Sequence, residues 1–558
     1  MRRYLGILII IVLSLFLVRS IFIDGFYPMH DNTQITRVFE MEQSLNDGMI
    51  PVRWVRDLGY GYGYPIFSFY APLAYYVGGF IALFGVGAVL ATKLMIAMGT
   101  ILAGITMYFL ARTFWGEKGG ILAGILYTYA PYHAVNLYVR GAIAELWAYA
   151  FLPLVFYGLW MTYSKRSWKY VVIGSVAYGA VILSHNLTAL MLTPFLLISV
   201  LVLLIVDYQK RKKISFLLCL PIICGLLLSS FYFLPAVMEM GYTNVRSQIG
   251  GGSAYYDHFV CSSQLWSSPW GFGGSVPGCL DGISLQLGKI HILLFGLAFI
   301  SLFFYRKYSA TREVLFFSLI SGIIAVFLML GLSKSIWELA KVMEYLQFPW
   351  RFSAFFLLFS SFAAGAVIPA VMRLIKPAKV NYLIGIFMLL LFLAAIFSLY
   401  SKHFKPQTII HNESLAIDSN YIRTQVSRIS DEYLPSNFVK PSLGQGVSER
   451  VPARNGVRVK KYVDKTQYVE ADITMTAATQ YYFNIAAFPS WKIFVDGMKK
   501  EVLVRDGRVG VSLEQGTSRV VVRFEQTLVQ KIGNALSVSG ILLLGVGIIY
   551  KRKKSNGK

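Results

Sequence analysis

The chain has 558 residues, of which 56% are apolar, 15% aromatic and 14% charged, and its formal net charge is +24. Soluble domains carry about 25% charged residues, and this chain holds repeated apolar stretches of about 18 residues or more, so the composition excludes an ordinary soluble protein and points to a polytopic membrane protein. The basic excess does not point to nucleic acid, because most Lys and Arg sit in short clusters between apolar stretches, where they set helix orientation.

The first apolar run, 4–23, follows Met-Arg-Arg and lacks a small-x-small cleavage site, so it reads as a retained anchor. "YPMHDNTQITR", Tyr27 to Arg37, comes next and opens an amphipathic run. "GYGYGYP" then reads as a turn with interfacial tyrosines. It lacks the Lys-Ser/Thr pair of a phosphate loop. The basic clusters are Arg2–Arg3, Arg112 to Lys118, Lys165 to Lys169, Lys210 to Lys213, Arg306 to Arg312, Arg373 to Lys379 and Lys551 to Lys558. Placing all of them in the cytoplasm requires an even number of crossings between neighbours. The Gly- and Tyr-rich stretch 72–90 is therefore expected to lie in the outer interface without spanning.

Twelve crossings remain: 4–23, 92–111, 119–136, 143–163, 170–186, 188–206, 214–234, 288–305, 314–332, 353–372, 380–400 and 532–550. The outside segments are then 24–91, 137–142, 235–287, 333–352 and 401–531, with a short turn at Ser184–Asn186. Both termini are expected in the cytoplasm of a multi-pass cell-membrane protein. Residues 1–400 form its transmembrane domain, with the long first loop 24–91. Residues 401–531 are polar and alternate with period two between Asp-Gly and Gln-Gly turns, the pattern of a small extracytoplasmic β-sandwich. Residues 532–558 give the final helix and a basic tail.

Cys219 and Cys224 fall in an apolar helix and read as packing residues. Cys261 and Cys279 share a polar, Gly-rich loop, where an oxidising outer compartment would let them pair. The spacing of cysteines and histidines offers no structural zinc site.

Ionisable groups at membrane depth are costly and are usually paired or functional. Four outer-rim segments hold them: His30, Asp31 and Arg37 in the first loop; Arg140 and Glu145 in "YAPYHAVNLYVRGAIAELWAY"; His185 and Asn186 in "SHN"; and Arg351 in "LQFPWRFS". Plainer readings stand beside a functional one. Arg140 and Glu145 read also as a structural ion pair, although a spacing of five is poor for one on a helix. The His185–Asn186 step reads also as a helix cap, and Asp31 as the cap of the amphipathic run. Arg37 and Arg351 read also as interfacial anchors. As a set, these residues suit glycosyl transfer: a carboxylate to hold or deprotonate a hydroxyl, arginines for a departing phosphate, and aromatics to stack on sugars.

These motifs resemble the GT-C superfamily of polytopic glycosyltransferases. Within it they are similar to the membrane proteins labelled "6-pyruvoyl-tetrahydropterin synthase-related". The matching stretches are "HDN" with the following Arg37, "LNDGMIPVRWVRDLGYGYGYPIFSFYAPLAYY", "YTYAPYHAVNLYVRGAIAELWAYAFLPLVF", "LSHNLTAL", "FPWRF" and "DEYLP". "AAFPSWKIFVDG" and "QKIGNALSVSG" also resemble YfhO-like C-terminal regions. The pterin label implies no pterin chemistry, since no histidine cluster is present.

The resemblance implies inverting hexosyl or pentosyl transfer from a polyprenyl-phosphate sugar to a glycan, lipid or protein acceptor outside the membrane. It makes Asp31 the general base, with His30 adjusting its charge or binding the acceptor. Glu145 would be the second acid, binding acceptor or metal. From their position at the outer rim, rather than from the resemblance, Arg351 is expected to join Arg140 in neutralising the donor phosphate, and Arg37, His185 and Asn186 to be further binding residues. The 72–90 helix would wall the groove, and the sandwich would bind acceptor or act as a lid. The superfamily's second acid beside the catalytic one is here His30, so no metal ligand set is assigned and a Mg²⁺ or Mn²⁺ requirement stays open. The alternatives are a flippase for lipid-linked sugars and a non-catalytic component of polysaccharide export or assembly.

Overall fold

A computed structural model of the chain describes residues 4–212, 215–245, 250–306, 309–375, 377–442 and 445–556. Of the basic clusters, Arg2, Arg3, Lys213, Lys307, Lys376 and Lys558 lie outside the described residues.

Among the described residues, eight helices are apolar and long enough to cross a membrane: Ala88–Thr128, Ile143–Lys165, Asn186–Arg211, Phe216–Met238, Ala310–Met329, Pro349–Met372, Ala378–His403 and Leu528–Ile549. Shorter apolar helices are Leu5–Ile21, Leu73–Val86, Trp168–Ser184 and Lys289–Tyr305. The 41-residue helix Ala88–Thr128 is two arms, broken where Gly116 adopts φ 69°. The arms fold back on each other and touch at glycines. A Cβ on Gly124 would lie 2.9 Å from the Gly104 carbonyl, and one on Gly104 would lie 2.5 Å from Thr128 Oγ1. The expected pair of crossings at 92–111 and 119–136 is thus a helical hairpin. Its second arm stops at Thr128, short of 136, and gives way to the short helix Pro131–Val135 and a wide π turn, Asn136–Arg140.

The polar segment near the C-terminus folds into eight strands: β1 (Val457–Lys465), β2 (Tyr468–Met475), β3 (Thr479–Ala486), β4 (Trp491–Val495), β5 (Met498–Lys500), β6 (Leu503–Arg505), β7 (Arg508–Leu513) and β8 (Gly516–Phe524). They pair antiparallel as a five-stranded sheet, β1-β2-β8-β4-β5, and a three-stranded sheet, β3-β7-β6. Both Asp-Gly dipeptides make tight hairpins, pairing Val495 with Met498 and Arg505 with Arg508. At Gln515-Gly516 the chain passes from one sheet to the other. Alternation in β4 puts Trp491, Ile493 and Val495 inside.

This sandwich sits on the first loop. Trp54, fully buried, meets Trp491 edge-on at 5.3 Å and Phe524 at 6.0 Å. Asp47 accepts the Thr466 backbone N–H at 2.6 Å, and the Gln467 amide donates to its carbonyl at 2.6 Å. The glycine-tyrosine turn is closed by a Val55–Tyr64 bridge. Its tyrosines face protein, not lipid headgroups: Tyr60 and Tyr64 are buried, and their hydroxyls donate to Asp431 (3.1 Å) and Glu432 (3.3 Å). The segments 401–442 and 445–456 therefore lie across the first loop before the sheets begin.

Candidate active site

The site is organised by the π turn at Asn136–Arg140. Its last carbonyls, of Val139 and Arg140, accept the backbone N–H groups of His30 and Asp31 at 3.0 Å each. Gly141 then turns the chain with φ 65°, and a Cβ there would lie 2.2 Å from Met29 Sδ. A glycine is needed at this point for both reasons. The contact fixes the first loop against the mouth of helix Ile143–Lys165.

Asp31 is 29% exposed. Its carboxylate accepts Thr33 Oγ1 at 2.7 Å, Gln34 Nε2 at 3.0 Å and Arg37 Nη1 at 2.9 Å. Helix Gln34–Asn46 starts at Thr33 with no side-chain cap, so Asp31 does not cap it as the sequence allowed. Arg37 follows Gln34 by one turn and so returns beside Asp31. It is 3% exposed, lies 4.2 Å over the Tyr70 ring and donates to Tyr75 Oη at 3.3 Å. Arg37 is therefore no interfacial anchor. His30 points elsewhere: its ring meets Phe272 edge-on at 4.7 Å, with Nε2 2.9 Å from the Phe272 carbonyl oxygen. The charge of Asp31 is balanced by Arg37 and not by His30.

Glu145 is 1% exposed and pairs with Arg140 at 2.8 Å. Its other oxygen accepts Tyr132 Oη at 2.5 Å and Asn136 Nδ2 at 3.3 Å. The ion pair forms despite the spacing of five because the left-handed residue Gly141 interrupts the helix and folds Arg140 back over the next helical start. The Arg140 guanidinium lies 4.6 Å over the Trp350 ring. Arg351, 8% exposed and so no surface anchor, donates to the Leu346 carbonyl at 2.9 Å. It interacts electrostatically with Arg140, Glu145 and Tyr70. Buried Nε atoms of Arg37 and Arg351 have no hydrogen-bond partner among the described residues. His185 joins the electrostatic neighbourhood of Glu145, Arg140 and Arg351. It, and not Asn186, caps the next helix: the Thr188 N–H donates to Nδ1 at 3.3 Å. Asn186 is drawn away to accept the Tyr232 hydroxyl at 3.0 Å.

Two clusters thus face one end of the bundle, Asp31–Arg37 and Glu145–Arg140–Arg351–His185, with Tyr70 electrostatically linked to both. Sequence reasoning missed Tyr70, Gln34, Tyr75, Tyr132 and Glu432. Glu432 lay inside a quoted motif, "DEYLP", but only the fold carries it to the first loop. The donor set around Asp31 does not fit a divalent cation, because a guanidinium already sits on its carboxylate and the adjacent donors are a hydroxyl and an amide. Among the described residues no three His, Cys, Asp or Glu side chains gather as a metal site. Cys261 and Cys279 form a disulfide that closes the loop carrying Phe272.

Fold and site define a polytopic helical membrane protein with a rim-level carboxylate–arginine site and a β-sandwich docked over its first loop. Residues 67–250 match the model of a membrane-protein family described as "6-pyruvoyl-tetrahydropterin synthase related domain". A Lactococcus lactis subsp. cremoris protein, described as uncharacterized, is 27% identical over 256 residues, 44% of this chain and 41% of that protein. The chain thus spans about two-fifths of the length of this curated relative. Among solved structures, an Archaeoglobus fulgidus oligosaccharyltransferase in complex with an inhibitory peptide and a dolichol-phosphate aligns at 13% identity and TM-score 0.47, over 77% of this chain and 60% of that one. An arabinofuranosyltransferase from Mycobacteria aligns at 15% and 0.46, over 73% and 27%. ArnT from Cupriavidus metallidurans, bound to undecaprenyl phosphate, aligns at 14% and 0.34, over 67% and 82%.

Proposed function

We propose that the chain is an inverting membrane glycosyltransferase that moves a sugar from a polyprenyl-phosphate donor to a glycan, lipid or protein acceptor on the outer side of the membrane. One observation carries the reading. Asp31 is a partly exposed carboxylate held in a fixed orientation by Thr33, Gln34 and Arg37, beside a rim that presents Arg140 and Arg351. Such a carboxylate takes the proton of an acceptor hydroxyl as the oxygen attacks the anomeric carbon. The bond from that carbon to the phosphate oxygen breaks, and its electron pair leaves with the polyprenyl phosphate. The charge that builds on this phosphate lies within the reach of guanidinium groups whose Coulomb effect is strengthened by burial. Glu145 holds Arg140 in place and stops the two arginines from repelling each other apart. No step runs through a metal ion.

The test is direct. Purified protein and an Asp31→Asn variant are given radiolabelled polyprenyl-phosphate sugars with membrane glycans and proteins. Transfer by the wild type and a loss of about 100-fold or more in the variant are expected. Absence of turnover with every common donor, or equal activity of the variant, overturns the proposal.

A further inference from the structure

The segment Ser430–Tyr433 comes from the stretch ahead of the sandwich, yet it is built into the wall of the site. Arg37 Nη2 lies 3.5 Å from Ser430 Oγ. Tyr64 Oη accepts the Tyr433 N–H at 3.0 Å, and the Tyr433 ring stacks on Phe69 at 5.6 Å. The two neighbouring acids of this segment are treated differently. Asp431 points outward, where Lys440 pairs with it at 2.5 Å and Tyr60 donates to it. Glu432 points inward and has Tyr64 Oη on one oxygen at 3.3 Å. Among the described residues no cation lies within ion-pair distance of it, although it is electrostatically coupled to Arg37 and Asp31.

A half-buried carboxylate without a cation is expensive to keep in place for structure alone. Here it occurs within electrostatic reach of Asp31, the one rim acid assigned to chemistry. Burial holds the Glu432 carboxyl above the ordinary glutamate range; a hydrogen bond from its own backbone and then Arg37 pull it down, and the Asp31 charge adds to the rise. Tyr64 and Tyr433 are the other titratable groups that face it.

We propose that Glu432 is the second acid of the site and binds the acceptor: its carboxylate accepts a hydrogen bond from the acceptor, which is thereby held between Glu432 and Asp31. This rests on the glycosyltransferase reading and adds an acceptor contact supplied by the C-terminal half of the chain. Asp31 receives the proton when the new glycosidic bond forms. Glu432 orients the acceptor and stays ionised, so acceptor binding weakens as pH falls through its raised pKa. A sugar or peptide acceptor with one further donor group next to the attacking one fits two neighbouring carboxylates.

The experiment compares wild type, Asp31→Asn, Glu432→Gln and Tyr64→Phe in full-length form. It follows transfer from a radiolabelled polyprenyl-phosphate sugar across pH, with separate KM values for donor and acceptor. Glu432→Gln keeps volume and the Tyr64 contact, so it is expected to fold with an unchanged unfolding temperature. It should raise the acceptor KM about 10-fold or more, leave the donor KM in place, and erase the acidic limb of acceptor KM. Tyr64→Phe, which removes the donor to Glu432, should move that limb to higher pH. If Asp31→Asn is inactive while Glu432→Gln keeps the wild-type acceptor KM and pH limb, the acceptor role of Glu432 is overturned and the glycosyltransferase reading stands. If the wild type transfers nothing, the glycosyltransferase reading fails and this assignment falls with it.

Discussion

Glu145 and Arg140 show what a buried ion pair does at the residue scale. Their spacing argued against pairing only because helical geometry was assumed to run through Gly141, and a left-handed residue there resets the count. That break was not legible from local sequence, since a lone glycine inside an apolar run has many readings. Once both charges are buried, removing one strands the other. Arg140→Gln is therefore expected to destabilise the protein by about 3–5 kcal/mol, read as a lowered unfolding temperature in detergent. Arg140→Gln with Glu145→Gln should recover much of that loss, because the uncompensated carboxylate is gone. The partners of Asp31 were half legible. Gln34 and Arg37 follow from one helical turn beginning just after it, whereas Glu432 lies in another part of the sequence altogether.

At the scale of elements, helix Gln34–Asn46 works as a clamp on both of its sides. Its burial pattern, with Arg37, Val38, Met41 and Leu45 inside, is the stripe an amphipathic run announces. Glu40 shares that buried face and accepts the backbone N–H groups of Arg56, Asp57 and Leu58, which shapes the start of the glycine-tyrosine turn. Asp57 in turn binds Arg423 at 2.6 Å and Ser419 at 2.9 Å, tying the turn to the short helix Ser419–Thr424. Burial, and then the nearby Asp57 charge, pushes the Glu40 carboxyl from 4.5 up to about 8. The folded protein thus binds a proton here that the unfolded chain releases, so this group's contribution to stability is full below about pH 4.5 and is lost as pH rises to about 8. Glu40→Gln should flatten this slope in unfolding temperature measured from pH 5 to 8; an unchanged slope assigns it to other groups. The turn itself was legible from its glycines and proline. Its burial against Asp431 and Glu432 was not, because tyrosines near a membrane also suit the headgroup region.

On the scale of the whole molecule, hydropathy and charge were the readable signals. They gave the helical bundle and the β-sandwich, because lipid demands apolar helices and a half-exposed sheet demands alternation. Tertiary docking of the sandwich on the first loop was not readable, since its contacts join residues hundreds of positions apart. The reversal at Gly116 puts Arg112 to Lys118 at the end of the bundle opposite Asp31. A reporter enzyme fused near residue 113 should consequently report the cytoplasm, and one fused near residue 45 the outer compartment. Signals from the same side for both would overturn the charge-parity topology.

The docking also orders events in time. Thr36 Oγ1 donates to the Ala416 carbonyl across 380 residues, and Phe26 forms a bridge with Ile410. At about 5–20 residues per second of synthesis, the first loop waits roughly 20–80 s for these partners. During that interval Trp54, Arg37 and the tyrosines of the turn have left the ribosome without the surfaces that later bury them. The site therefore closes only after residues 410–433 have been made, and a truncated product carrying every residue of the first loop but ending before them is without a closed site.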